Sequence, residues 1–354
     1  MNFGSDNQSG ASDAVLRALS EAFTGTADAY GHDHFSQAAE QALKRVFDTE
    51  LSVFFVVSGT AANSLALSSM VQPWDGIVCH HQAHILLDES SGPALFSGGA
   101  SLLPVPSRAL KISPDALRTM LQRFPNEPPH NIRPRALSIS QANESGQVYT
   151  VDEVVALGQC AKEAGLRFHM DGARFANAVA ALGCAPADLT WRAGVDVLCL
   201  GATKNGAVAC EAVVCFDQAL ATDFHFRMKR SGHLVSKSRL FGAQMVAWLE
   251  NDHWLELART ANDRARYLRA SIAGGQGVRL AFDSESNETF ILLDKSLFER
   301  LSRDVSLFDW YPDALPDDNA LQANEMIARL VTSFNSTEAE IDRLIALINR
   351  LSST

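Results

Sequence analysis

The stretch Val197-Leu198-Cys199-Leu200-Gly201-Ala202-Thr203-Lys204-Asn205-Gly206 decides how this chain is read. Its four leading apolar residues predict a buried strand, and a lysine follows among small residues with a glycine on either side. Desolvation there lowers a lysine's pKa, and a neutral amine forms a Schiff base with a carbonyl. Most lysines lie in water, but few follow such a core run. Upstream by 33 residues, Phe168-His169-Met170-Asp171-Gly172-Ala173-Arg174 sets Asp171 at the end of another apolar run. A carboxylate in that position either meets a ligand at the edge of a parallel sheet or caps the next helix. Earlier still, Val56-Val57-Ser58-Gly59-Thr60-Ala61-Ala62-Asn63 passes from a strand through a glycine turn into a helix. Backbone N–H groups and the helix dipole at Ser58, Gly59 and Thr60 suit an anion, whereas the plain alternative is a strand–helix turn with Thr60 as N-cap.

Together the three segments are far more specific than any one of them. An anion cradle, a strand-end aspartate and a strand-end lysine are what a pyridoxal phosphate site requires. The phosphate takes the cradle, the lysine bonds the aldehyde, and the aspartate keeps the pyridine nitrogen protonated so that the ring acts as an electron sink.

The surrounding pattern agrees. Apolar runs at 51–57, 77–79, 100–105, 135–140, 166–170, 195–200 and 208–216 alternate with helical spacing at 38–47, 61–70, 114–124 and 151–164. This predicts an α/β fold with a mostly parallel sheet covered on both faces. A long helical stretch, 241–272, is interrupted near Asn251-Asp252, and shorter strands follow Gly274-Gly275, at 278–282, 289–293 and 330–334. A stripe of Ile341, Leu344, Ile345, Leu347, Ile348 and Leu351 predicts a closing amphipathic helix. The expected organisation is a large cofactor-binding domain over 1–250, its N-terminal segment contributing to the site, and a small α+β domain over 251–354.

Charge and composition narrow the function. The 354 residues carry 30 basic against 41 acidic groups, a net charge of −11, which disfavours nucleic acid and anionic membranes as partners. No apolar run is long enough to span a bilayer, and MNFGSDNQSG does not read as a secretory signal. Six cysteines without a CxxC pair read as reduced core residues, so the expected location is the cytoplasm.

At this point the chain resembles the fold type I pyridoxal phosphate enzymes and, within them, the threonine aldolase/β-eliminating lyase group. The likeness runs through Ser5-Asp6-Asn7, Tyr30-Gly31, the Ser58-Gly59-Thr60 turn, the His84 region, Asp171-Gly172-Ala173-Arg174, the lysine segment and Arg329-Leu330-Val331-Thr332. The resemblance implies that Lys204 is the Schiff-base lysine, that Asp171 binds the pyridine nitrogen, and that Ser58, Gly59 and Thr60 hold the phosphate. It implies that His84 stacks on the ring and helps remove the β-hydroxyl proton. Ser5, Arg174 and Arg329 would surround the substrate carboxylate, with Arg174 also near the cofactor's phenolic oxygen. Members often carry a second histidine where this chain has Asn143; an amide is no base at neutral pH, so the role falls to His84 or a water it orients.

The implied activity is cleavage of L-β-hydroxy-α-amino acids to glycine and an aldehyde, by a homo-oligomer built as a dimer of dimers. β-Elimination or transamination with the same cofactor, and a non-catalytic cofactor- or nucleotide-binding protein, are the rivals. Cys79-His80-His81-Gln82-Ala83-His84, with Asp88 and Glu89 nearby, lacks zinc-motif spacing, and no metal is expected. The basic cluster Arg227, Lys229, Arg230, Lys237 and Arg239 is a solvated face or lies near the phosphate, and Phe241, Trp248 and Trp254 read as core or interface.

Overall fold

The apolar runs become strands β1 Ser52–Val56, β2 Asp75–His80, β3 Ser101–Val105, β4 Arg133–Ser140, β5 Arg167–Gly172, β6 Val197–Gly201 and β7 Glu211–Cys215. The structure, a computed structural model, describes residues 1–105, 110–125, 127–273, 277–312, 315 and 319–353. The seven strands form one sheet in the order β1-β7-β6-β5-β4-β2-β3. Neighbours are parallel from β3 to β6, while β7 runs against both β6 and β1. Strands β2, β6 and β7 are buried along their whole length, the reason their sequences show no polar alternation. The reversal of β7 has a consequence for the site. It brings Glu211, at the start of β7, to the edge where the other strands end, paired with Gly201 of β6 and Val56 of β1.

Helices cover both faces. The small-residue helix Gly59–Met70 packs against β5, β6 and β7 and against helix Gly92–Ser97, and is buried at nearly every position from Ala61 to Met70. Burying Leu65 and Leu67 contributes about 1.5–3 kcal/mol each. On the other face, Leu43 and Phe47, Val154 and Leu157, Phe175 and Val179, and Phe241, Met245 and Trp248 share one core.

The second sheet is antiparallel: β8 Val278–Leu280, β9 Glu288–Asp294, β10 Phe308–Trp310 and β11 Glu325–Val331, in the order β10-β11-β9-β8. The closing helix is Glu338–Ser352, started by a capping box between Thr337 and Glu340, with Ile341, Leu344, Leu347 and Ile348 buried.

Some sequence readings shift. The strand expected at 330–334 is β11, because its residues pair with β9 up to Val331. Gly274-Gly275, expected as the change of texture, lie outside the described residues. The helical stretch breaks where Asn251 takes a left-handed conformation (φ 53°), separating Arg239–Leu249 from His253–Ala273. Packing does not break there. Trp254, Leu257 and Ala258 belong to the large core, while Leu268 and Ile272 of the same helix belong to the small one. The first residues also side with the second sheet: Phe3 is buried in its core and its carbonyl accepts from Val331 N–H at 2.8 Å. All six cysteines are free thiols, and five are buried. Among the described residues, no helix is long and apolar enough to cross a membrane.

Candidate active site

The helix after β1 starts with Ser58 as its N-cap, its Oγ accepting from Ala61 N–H at 3.3 Å. Ser58 is extended (φ −150°) and Thr60 is already inside the helix, so the cap expected at Thr60 belongs to Ser58. The first N–H groups of a helix have no partner within it. Beside them, a methyl placed on Gly59 would meet nothing within 4 Å, so the end of the helix is open.

Asp171 ends β5. Its Oδ1 accepts from Ala173 N–H at 3.0 Å, and its Oδ2 accepts from Asn63 Nδ2 at 2.7 Å. It does not cap the next helix, Phe175–Leu182, which begins after Arg174 without a side-chain cap. Behind it His169 bonds Ser138 Oγ at 2.9 Å and Cys199 Sγ at 3.2 Å, and burial pushes its pKa down to about 4.

Lys204 sits in a tight turn, Thr203–Asn205, held from several sides. Trp248 Nε1 donates to Asn205 O at 2.7 Å, Asn205 Nδ2 donates to Trp254 O at 2.8 Å, and Thr203 Oγ1 accepts from Cys210 N–H at 3.1 Å. Gly206 closes the turn with φ 98°, and a Cβ there would lie 2.7 Å from Leu257 Cδ1. Trp248, Trp254 and Phe241 are therefore core, and the Trp248 indole and the Trp254 backbone carbonyl anchor the lysine turn.

Glu211 was not singled out in the sequence, although an acid heading an apolar run is a signal. It is buried beside this turn, and burial pushes its pKa up to about 7 against the Thr203 hydrogen bonds and the Lys204 charge.

His84 opens the short helix His84–Leu87. Its N–H donates to Glu144 Oε1 at 2.8 Å, which also accepts from Ser140 Oγ at 2.6 Å. Its Nδ1 lies 2.9 Å from Glu89 Oε1, and that oxygen accepts from Asn63 Nδ2 at 2.8 Å. The Glu89 bond raises the His84 pKa, while burial raises that of Glu89. Ligating atoms of His84, Glu89 and Asp171 lie within 4.8 Å of one another, and Asn63 Nδ2 donates to both carboxylates.

The arginines differ from the expectation. Arg174 does not wait with free arms for a substrate carboxylate. Its Nε and Nη2 donate to Asp6 at 2.8 and 3.0 Å, and its Nη1 lies 3.3 Å from Glu288. Burial opposes the charge on Asp6, but the Arg174 guanidinium outweighs it and holds the carboxyl below its ordinary range. Arg329 Nη1 lies 3.6 Å from Glu288, its guanidinium stacks 4.6 Å from the Trp310 ring, and its Nε is buried without an acceptor. Two arginines and two buried acids cancel, so the positive potential expected of the pair is largely neutralised.

Ser5 caps the turn Asp6–Gln8 and accepts from Asn7 N–H at 3.2 Å; Asn7, not Ser5, lines the cavity, and Asp6 reaches it only through Arg174. Asn143 is spent on backbone: its Oδ1 accepts from Ser145 and Gln147, and its Nδ2 donates to Leu110 O at 2.7 Å.

Ser58, Gly59, Thr60, His84, Asn143, Asp171, Arg174 and Lys204 all line one cavity of about 360 Å³, whereas Ser5 and Arg329 are outside its lining. None of the basic cluster at 227–239 lines it: Arg227 reaches Ser68, Lys229 lies over Tyr30, and Arg239 bonds Gly25 O. A larger hollow of about 650 Å³ near Trp74, Phe124 and Ile132 gathers no comparable set of titratable groups among the described residues.

Comparison with known proteins agrees with this geometry. The family model described as β-eliminating lyase matches residues 2–295. The chain belongs to the β-eliminating lyase family. Low specificity L-threonine aldolase of a Pseudomonas species is 42% identical over 299 residues, which is 84% of this chain and 86% of that protein. The solved threonine aldolase of Leishmania major superposes with a TM-score of 0.91 at 26% identity, covering 99% of each chain. Serine palmitoyltransferase of Sphingomonas wittichii, 15% identical with a TM-score of 0.72 over all of this chain and 87% of its own, shares the fold. This member of the family therefore has the fold type I architecture, a mostly parallel sheet with a small antiparallel one beside it.

Proposed function

We propose that the chain is a pyridoxal phosphate-dependent aldehyde-lyase. It cleaves the Cα–Cβ bond of L-β-hydroxy-α-amino acids, among them threonine, allo-threonine and phenylserine, to glycine and an aldehyde. One observation carries this reading: the helix N-terminus at Gly59, the Asp171 carboxylate, the Lys204 amine and the His84 ring face a single cavity. The cavity volume suits a cofactor with a small substrate. The open space before Gly59 leaves room for a phosphate, and the chemistry of the donor set matches what the cofactor needs.

When bound, the cofactor supplies an electron sink for the negative charge left on the substrate's α-carbon. Ser58, Gly59 and Thr60 hold its phosphate at the helix N-terminus, where backbone donors serve despite the chain's net charge. Asp171 keeps a proton on the pyridine nitrogen. Lys204 is the residue that would hold the cofactor, through its amine. His84 takes the β-hydroxyl proton at Nε2 as the aldehyde leaves. Arg329 lies outside the cavity lining beside Glu288, but its buried Nε meets no acceptor, and it is the candidate donor for the substrate carboxylate. Arg174 stands beside it near the phenolic oxygen, steadied by Asp6 and Glu288, while Ser5 and Asn143 hold the loops that frame the site.

A homo-oligomer, a dimer of dimers, fits the exposed apolar side chains Leu87, Leu95 and Phe96. A cytoplasmic location fits the six free thiols. The division near residue 250 fits two cores joined by one helix.

The test is a panel of threonine, allo-threonine and phenylserine in both enantiomers, with aldehyde, glycine and ammonia measured. Equal amounts of aldehyde and glycine are expected, and Lys204→Ala should lose both along with the visible absorption of the bound cofactor. Full turnover by that variant would refute the assignment. The second reading, β-elimination, draws on the name of the matching family and would yield a keto acid and ammonia instead.

A further inference from the structure

We propose that Glu89 is a positioning residue for the histidine base: buried between His84 and Asn63, it fixes His84 as the Nδ1–H tautomer and leaves Nε2 to take the substrate's proton. This rests on the reading of His84 as the base. The contacts are specific. Glu89 Oε1 lies 2.9 Å from His84 Nδ1 and 2.8 Å from Asn63 Nδ2, and the Glu89 side chain is fully buried while the His84 side chain is 41% exposed toward the cavity. Asn63 donates to two carboxylates, Glu89 and Asp171, so its amide nitrogen must face both. The backbone of His84 is pinned separately by Glu144. Ring and main chain are thus held from opposite sides, and one of the two ring nitrogens is already committed.

The energetics point the same way. A buried carboxylate is costly unless a charge or several donors meet it. Among the described residues, the only cationic partner of Glu89 is His84 itself, and Glu89 Oε2 has no hydrogen-bond partner. Glu89 is therefore best compensated when His84 carries two protons, which is the state His84 reaches after accepting the β-hydroxyl proton. The arrangement follows the logic by which a buried acid orients and supports the histidine of a hydrolase triad. The other groups facing His84 and Glu89 are Asp171 and Lys204, which act on the His84 charge in opposite senses, with Glu144 and Asp88 at the cavity wall. Asn63 also couples the base to the acceptor of the pyridine nitrogen, so a single amide sets the distance between the two functional ends of the site.

The experiment uses the holoenzyme and its Glu89→Gln and Glu89→Asp variants. Gln keeps size and an acceptor but removes the charge. Losing an adjacent opposite charge should move the acid limb of the pH–kcat profile down by about one pH unit and lower kcat by about tenfold or more, with KM and cofactor affinity little changed. Glu89→Asp, which keeps the charge, should restore the limb toward wild type. Nitrogen NMR of histidine-labelled enzyme without substrate gives an independent reading: the His84 ring, assigned by its loss in His84→Asn, should show the Nδ1–H tautomer in wild type and a lower pKa in Glu89→Gln. A wild-type limb and tautomer in Glu89→Gln would overturn the proposal. So would a fall in kcat with an unmoved limb that Glu89→Asp does not rescue, since that marks a structural prop. The two levels separate cleanly: full retro-aldol turnover by His84→Asn sinks the base reading itself, whereas an inactive His84→Asn with a wild-type-like Glu89→Gln sinks only the role of Glu89.

Discussion

Replacing Glu211 by glutamine should make the protein's stability less dependent on pH, and the size of the change follows from where the carboxyl sits. Burial beside the lysine turn raises its pKa from the usual 4.5 to about 7, against the opposing Thr203 hydrogen bonds and the Lys204 charge. Below pH 4.5 the group is protonated in folded and unfolded chains alike and costs nothing. Between the two values the unfolded chain releases the proton while the folded chain keeps it, so stability falls as pH rises. Above pH 7 both are ionised and the whole difference is lost. At about 1.4 kcal/mol per pH unit, the gap amounts to ~3 kcal/mol. Glutamine cannot ionise, and its misplaced amide donor adds a pH-independent cost of about 1 kcal/mol. The variant should therefore match or fall slightly below wild type at pH 5 and exceed it by ~2 kcal/mol at pH 8. Urea unfolding of cofactor-free protein at the two pH values measures this, and other titrating groups such as Glu89 and Glu144 cancel between variant and wild type. An identical stability difference at pH 5 and pH 8 would refute the reasoning.

Two further perturbations test the packing and the charge array. Gly242→Ala places a methyl 2.4 Å from the Phe35 carbonyl carbon and the Ser36 nitrogen, backbone that cannot turn aside, so a loss of roughly 1–3 kcal/mol is expected in a thermal melt; an unchanged melting temperature would contradict the close helix approach. Asp6→Asn removes the two-armed partner of Arg174 and should cost ~3 kcal/mol at neutral pH in the same assay. Because Arg174 outweighs burial and holds the Asp6 carboxyl below its ordinary range, wild type should keep this contribution until pH falls through that lowered value. A variant as stable as wild type would show that Glu288 alone satisfies Arg174.

What the sequence made legible were the groups next to the chain's own punctuation. Ser58 and Asp171 each follow an apolar run and adjoin a glycine, and Lys204 comes shortly after one between Gly201 and Gly206, so their place at strand ends could be read without a structure. The residues that tune them could not. Asn63 lies inside a helix of small residues, Glu89 lies two positions beyond a short helical turn, and Glu211 heads a strand whose direction is reversed; each reaches the cavity only through tertiary packing. The partners of Arg174 were hidden for the same reason, since Asp6 and Glu288 are far away in the chain and meet it only when the first residues join the second sheet. Asn143 lines the cavity as its position along the chain suggested, but that its amide is taken up by the backbone of Ser145, Gln147 and Leu110 could not be read from the sequence.

The helix His253–Ala273 acts as a shared beam. Its first turns are built into one core and its last turns into the other. Neither half can be pulled loose without severing that beam in mid-span, so heat or denaturant meets a single mechanical body. A movement of the small sheet toward the cavity would have to pivot at Asn251 and the Arg239–Leu249 junction, carrying the Trp254 anchor of the lysine turn with it. Opening and loosening the Lys204 turn would then be one event.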